Sequence, residues 1–230
     1  MENYDHNKVN FREFILGGQD GLVNVLGLVL GVASATSSTN IVIISGIVAT
    51  VAESVSMAAV AYTSSKAAKD YYYSIIKEEQ THVSYKPKLE ENEIKQIYYK
   101  KGFRSKELNN IVKHITSNKK LWVETLLLEK HKISKVEFEN PLKSGWIVGI
   151  STIIGSLIPL TPFFFLNVKT GIITSIVFSA AALFIVGAIK AKLSIGNWKK
   201  SGMEIMTIGI IAALLGYGVG LLLKGYGVLV

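Results

Sequence analysis

The chain has 230 residues, no cysteine and a formal net charge of +8, with 49% hydrophobic and 18% charged residues. The lack of cysteine excludes disulfides, zinc–thiolate sites and iron–sulfur clusters, and leaves the redox compartment open. The basic balance alone would suit nucleic acid; yet most charges lie between Lys66 and Lys143 and long apolar runs flank them, the pattern of a membrane protein obeying the positive-inside rule and not of a nucleic-acid binder.

Residues 1–14, MENYDHNKVNFREF, are polar and mixed in charge, with neither a cleavable signal pattern nor a transit-peptide composition. The first apolar run, Ile15 to Ala35, carries Asp20, then Asn24 one helical turn later, and a GxxxG formed by Gly27 and Gly31. Such a spacing of small residues permits close helix–helix approach in lipid. Thr36 to Asn40 turns the chain back. The second run, Ile41 to Ser65, exceeds the roughly 20 residues that a transmembrane helix needs. It carries Glu53 near its middle and Met57 one turn later on the same face. An ionisable group at bilayer depth is costly and marks a functional site by default. A carboxylate oxygen beside a thioether suits a transition-metal ion better than Mg²⁺ or Ca²⁺. The structural alternatives are an acid satisfied by Ser54 or Ser56 for Glu53, an interfacial residue for Asp20, and core filler for Met57.

No Pro or Gly closes the second run at Lys66, so its helix is expected to continue into water as AAKDYYYSIIKEEQTH. Three amphipathic helices follow. LEENEIKQIYY sets Ile94, Ile97 and Tyr98 beside Glu90 and Glu93. In SKELNNIVKHI, Leu108, Ile111, Val112 and Ile115 repeat at helical spacing, with Ser105 as N-cap. NKKLWVETLLLEKH puts Leu121, Trp122, Thr125, Leu128 and Glu129 on one side. Three more apolar runs complete the chain: Gly145 to about Leu166, with termination expected at Pro159 and Pro162, Thr170 to about Lys190, and Met203 to about Leu223.

Seventeen Lys and Arg lie between Lys66 and Lys143, four between Lys190 and Lys200 and two in the N-terminal arm, against Lys169 and Lys224 alone on the opposite side. This asymmetry places the N-terminus, the insert and the fourth-to-fifth connection in the cytoplasm. The fold class is therefore an all-α membrane protein of five transmembrane helices, with a cytoplasmic helical insert between the second and third. The predicted divisions are 1–14 as cytoplasmic arm, 15–66 as helices one and two, 67–143 as insert and 144–230 as helices three to five.

Several pieces resemble the vacuolar iron transporter (VIT/CCC) family, in a prokaryotic-type form. They are Asp20-Gly21-Leu22-Val23; Ala52-Glu53-Ser54-Val55-Ser56-Met57-Ala58 with Tyr62 and Ser64-Ser65-Lys66; Pro87-x-x-Glu90-x-x-Glu93 leading to Lys101-Gly102-Phe103; Gly155-Ser156-Leu157-Ile158-Pro159-Leu160-x-Pro162-Phe163; and Ser201-Gly202-Met203-Glu204. They stand in family order across nearly the whole chain. The resemblance implies a homodimer with a metal path at its two-fold interface, exporting Fe²⁺ and also Mn²⁺ from the cytosol in exchange for protons, with no permanently bound cofactor. It implies that Asp20, Glu53 and Met57 line that path and that Glu79, Glu90, Glu93 and Glu129, with Glu78 and His82 as neighbours, gather metal on the insert. The membrane would be the cell membrane in a prokaryote and a vacuolar or other organelle membrane in a eukaryote. Two departures stand out. Val60-Ala61 replace the Gly-Glu of plant-type members, and Thr125, Leu126 and Leu127 stand where methionines are expected.

The insert holds 17 basic against 11 acidic residues, which argues against a multi-metal store there. His114 and His131 have no motif around them and read as surface or helix-end residues. No Ser/His/Asp set, phosphate loop or HExxH appears, so the chain is not read as an enzyme. The alternative is a membrane scaffold or metal-sensing protein without transport, which would leave Asp20 and Glu53 unexplained.

Overall fold

The structure, a computed structural model, describes residues 6–133, 140–193 and 196–226. Residues 1–5 of the predicted arm, 134–139 at the end of the predicted insert, 194–195 of the fourth-to-fifth connection and 227–230 lie outside the described residues. Among the described residues all regular structure is helical: α1 (His6–Thr36), α2 (Thr39–Tyr85), α3 (Pro87–Lys100), α4 (Ser105–Thr116), α5 (Lys119–Glu129), α6 (Pro141–Leu160) with a 3₁₀ turn (Thr161–Phe164), α7 (Val168–Leu193) and α8 (Trp198–Gly225). Five of these, α1, α2, α6 with its 3₁₀ turn, α7 and α8, are long and apolar enough to cross a membrane. The chain divides into two compact units, 1–63 with 139–230, and 64–138. α2 contributes its first half to one and its second half to the other.

α1 is the central helix of the first unit. Leu22, Val25, Leu26, Val29, Leu30 and Ala33 are each at most 1% exposed. The described part of the predicted arm forms the first turns of this helix, since nothing between His6 and Ile15 interrupts propagation. Small residues bring its neighbours close. A Cβ placed on Gly155 of α6 would stand 2.0 Å from the carbonyl oxygen of Gly18. The Gly27–Gly31 pair meets a second GxxxG, Gly216–Gly220, on α8: a Cβ on Gly216 would fall 2.3 Å from Gly27 O, and one on Gly220 2.1 Å from Gly31 O. Ser34 fixes the same contact by donating to Tyr217 O at 3.0 Å. Because lipid is as apolar as leucine, such backbone approach and its dispersion energy hold helices together where hydrophobic burial does not.

α6 begins at Pro141, with the Asn140 side chain accepting from Leu142 N at 3.1 Å as a cap, and ends at the predicted place. Pro159 has no N–H to continue the ladder. Its carbonyl accepts from Ser175 Oγ on α7 at 2.7 Å, a fully buried bond. Thr161 N still reaches Leu157 O beyond Pro159, and Pro162 falls in the 3₁₀ turn where α6 ends, so the α-helix gives way at the prolines and the Pro159 carbonyl ties that end to α7.

In the second unit the end of α2 packs with α3, α4 and α5 around Ile75, Ile94, Val112 and Leu126. α4 buries Leu108, Val112 and Ile115 with Ile111 at the margin, as its periodicity predicts. Two local expectations are corrected. Ser105 is the first helical residue of α4 and not its cap; Arg104 holds the N-cap position with no side-chain cap bond. Its guanidinium turns back to the carbonyls of Tyr99 (2.6 Å) and Phe103 (2.8 Å). In α5 the buried face is Trp122, Val123, Leu126 and Leu127 with Thr125, and Leu128 is 51% exposed. The run WVETLLL is apolar nearly all round, so its spacing alone does not select a face.

Candidate metal centres

The first centre joins α1 and α2. Asp20 and Asn24 stand one turn apart on α1, and Glu53 stands midway along the apolar half of α2. Asn24 Nδ2 donates to Glu53 Oε1, and Asp20 lies near enough for the two carboxylates to act on each other. Both acids are half-buried. Ser54, the alternative partner for Glu53, directs its hydroxyl to Val51 O at 3.0 Å, and Ser56 is exposed. Among the described residues, what surrounds the Glu53 carboxylate is thus a neutral amide and a second acid, not a lysine or arginine. Two carboxylates at this range in an apolar setting repel unless a proton or a cation stands between them. Met57 follows one turn later, also half-buried.

The second centre lies wholly within the 64–138 unit. Glu79 on α2 and Glu90 on α3 are each only 1% exposed, far from the solvated glutamates that an amphipathic helix usually carries. A ligand atom from each of Glu79, His82 and Glu90 lies within 4.8 Å of the others. His82 Nδ1 is 3.5 Å from Glu90. Lys130, directly after α5, brings its ammonium to 3.1 Å from Glu79, 3.4 Å from Glu90 and 2.7 Å from Glu93. His131 Nε2 lies 2.7 Å from Glu79 Oε1. The other oxygen of Glu79, Oε2, is buried without a hydrogen-bond partner.

The electrostatics of the two buried glutamates differ in sign. Burial pushes the Glu90 carboxyl up; Lys130 opposes this, Glu79 and Glu93 reinforce it, and the net lies above the ordinary value. Burial acts the same way on Glu79, but hydrogen bonds from His131 and Lys130 and their charges outweigh it and hold the carboxyl below the ordinary range. Burial pulls the Lys130 ammonium down, and the carboxylates of Glu93, Glu79 and Glu90 overcome it, so its pKa is raised.

Of the acids expected to gather metal, Glu79, Glu90 and Glu93 therefore converge on one cation. Glu129 pairs with Lys101 and, at 3.8 Å, with Lys132, and is not among the acids that meet Lys130. Glu78 faces solvent. Lys130 and His131 were not legible as site residues: their partners are 40 and 52 positions away, and no local pattern marks them. Asn24 carried a weak signal, an amide one turn from Asp20 in an apolar run.

A family model described as the VIT family matches residues 11–221. The chain is 28% identical over 207 residues to vacuolar iron transporter 1 of Tulipa gesneriana, covering 90% of this chain and 84% of that protein. It is 28% identical over 203 residues to vacuolar iron transporter 1 of Arabidopsis thaliana, covering 88% and 81%. Protein CCC1 of Saccharomyces cerevisiae is 27% identical over 210 residues, covering 87% of this chain and 65% of that protein. With the family match running over all five apolar helices, the chain is a multi-pass membrane protein and belongs to the VIT family, a family of transporters and not of enzymes.

Proposed function

We propose that this protein moves divalent transition-metal ions, Fe²⁺ and also Mn²⁺, out of the cytosol in exchange for protons, along a path at the interface of a homodimer. The observation that carries the reading is the placing of Glu53 near Asp20 across two apolar helices, with the Asn24 amide donating to Glu53 and no basic partner for it among the described residues. Such a pair binds either a proton or a divalent cation, and competition between the two couples their fluxes. Met57 adds the thioether that favours a transition metal over Mg²⁺ or Ca²⁺. In a two-fold dimer the acids of both chains would face one path, and the mutual repulsion of four carboxylates would hold it occupied by cations or protons. The excess of Lys and Arg between Lys66 and Lys143 supports a cytosolic side for the helical insert, where Glu79, Glu90 and Glu93, and Glu129 beside Lys130 in the chain, would meet incoming metal.

Proteoliposomes with a pH gradient test this. Mn²⁺ or Fe²⁺ flux accompanied by opposite proton movement is expected, and Glu53→Gln should abolish it while the protein keeps its elution volume and melting behaviour. Undiminished flux in Glu53→Gln refutes the site, and metal flux without proton counterflow refutes the exchange.

A further inference from the structure

The acidic centre of the helical insert already holds a cation of its own. We propose that the Lys130 ammonium occupies the position a divalent ion would take among Glu79, Glu90 and Glu93, so that an ion enters this centre only by expelling the lysine. The inference concerns metal entry to the insert; it does not depend on transport through the membrane helices.

The geometry supports it in three ways. Lys130 Nζ makes contacts of 2.7, 3.1 and 3.4 Å with three separate carboxylates, the arrangement of a coordinated cation more than of a surface ion pair. Two of those carboxylates, Glu79 and Glu90, are 1% exposed, so neither stays ionised in that position without a counter-charge. The candidate metal ligands Glu79, His82 and Glu90 bring their atoms within 4.8 Å of one another around the same carboxylates that Lys130 binds. A divalent ion added beside the ammonium would set two cations against one another at contact range, which favours exchange over addition.

The lysine is placed to leave. Lys130 is the C-cap of α5, at the end of its regular hydrogen bonding, and its side chain is 28% exposed. Once it departs, the centre retains oxygen from Glu79, Glu90 and Glu93 and imidazole nitrogen from His82 and His131, a mixed set suited to Mn²⁺, Fe²⁺ or Zn²⁺. The buried and unpaired Glu79 Oε2 is coordination capacity that the single ammonium leaves unused.

The test compares Mn²⁺ binding by the full-length protein in detergent, followed by calorimetry, for the wild type, Lys130→Gln, Lys130→Arg and Lys130→Gln/Glu90→Gln. The difference between the single and double variants isolates this centre from the membrane acids. Lys130→Gln is expected to bind Mn²⁺ at least about tenfold more tightly, because it leaves a buried acid pair uncompensated; Lys130→Arg should stay closed, and the double variant should lose the gain. Equal Mn²⁺ affinity in wild type and Lys130→Gln, or a gain that survives Glu90→Gln, overturns the proposal. Should Lys130→Gln fail to fold, amine-reactive labelling of the wild type decides. Lys130 should react slowly in metal-free protein and faster at saturating Mn²⁺; unchanged reactivity overturns the proposal as well.

Discussion

The contact between Gly18 and Gly155 sets where α1 sits, and through α1 where Asp20 and Asn24 stand. In Gly155→Ala the added Cβ would lie 2.0 Å from Gly18 O, 2.8 Å from its carbonyl carbon and 3.0 Å from its Cα. The obstacle is backbone, so no side chain can rotate away. To reach an ordinary 3.4 Å contact the two helices must part locally by about 1.4 Å, a displacement that overpacked cores resist at about 1–3 kcal/mol. At this chain length that corresponds to a fall of roughly 2–12 °C in melting temperature. Because Gly18 lies two residues before Asp20, the shift carries Asp20 and Asn24 with it and opens the bond to Glu53. Metal flux should therefore fall although no ligand has been changed. Gly218→Ala is the control: nothing lies within 4 Å of its Cβ, and alanine is favoured over glycine in a helix by about 0.8–1 kcal/mol, so it should melt and transport like the parent or slightly better. Thermal unfolding in detergent and Mn²⁺ flux in proteoliposomes read both variants. Gly155→Ala with parental melting and flux would refute the account of α1 positioning.

Ile94→Ala empties a 0% exposed position in the core of the insert and should cost about 2–5 kcal/mol; limited proteolysis should then cut within 64–138 first, and an unchanged digestion pattern would contradict it. Asn24→Ala removes the donor to Glu53, a hydrogen bond to a charged group of about 1.5–3 kcal/mol, and should slow Mn²⁺ flux with little change in elution volume; parental flux would show that the amide has no part in the site. In metal-free protein the two buried glutamates should move stability with pH in opposite directions. Glu79, depressed on folding, stabilises above its unfolded value near about 4.3 and loses that contribution as pH falls through its lower folded value. Glu90, raised on folding, carries a penalty at neutral pH that is relieved as pH falls through its folded value toward the unfolded one. Melting curves from neutral to acid pH should show Glu79→Gln flattening the acid-side loss and Glu90→Gln flattening the preceding rise; superimposable profiles would contradict both assignments.

What the sequence made legible follows from period and composition. Five apolar runs need no tertiary information, and they map onto α1, α2, α6, α7 and α8. Gly27 and Gly31 announced a close approach, and Pro159 announced the end of α6, because both act through backbone sterics that are local. That this glycine pair meets Gly216 and Gly220 of α8 is a property of the fold and not of the local spacing. The face of α5 was misassigned because WVETLLL is apolar nearly all round, and Glu124 alone does little to orient it. Lys130 and His131 were unreadable for a different reason. Their chemistry exists only once α5 ends beside α2 and α3, and a lysine in a strongly basic segment looks like one more solubilising charge.

The two acid centres handle the same electrostatic problem by different means. Around Glu53 the described partners are an amide and another acid, so on the proposed function any negative charge there is met by a mobile ion or proton. In the insert the negative charge is met by Lys130, a cation that is covalently tethered and always present. A mobile divalent ion therefore gains the full attraction of the acids at the membrane centre but only the difference between itself and an ammonium at the insert. Affinity should accordingly rest with the membrane pair, and the insert should respond only when metal is abundant enough to compete with its own lysine. That ordering gives the Lys-rich composition of the insert a physical meaning that a count of 17 basic against 11 acidic residues does not: one of those lysines sits inside the acidic centre, and its position matters more than the total.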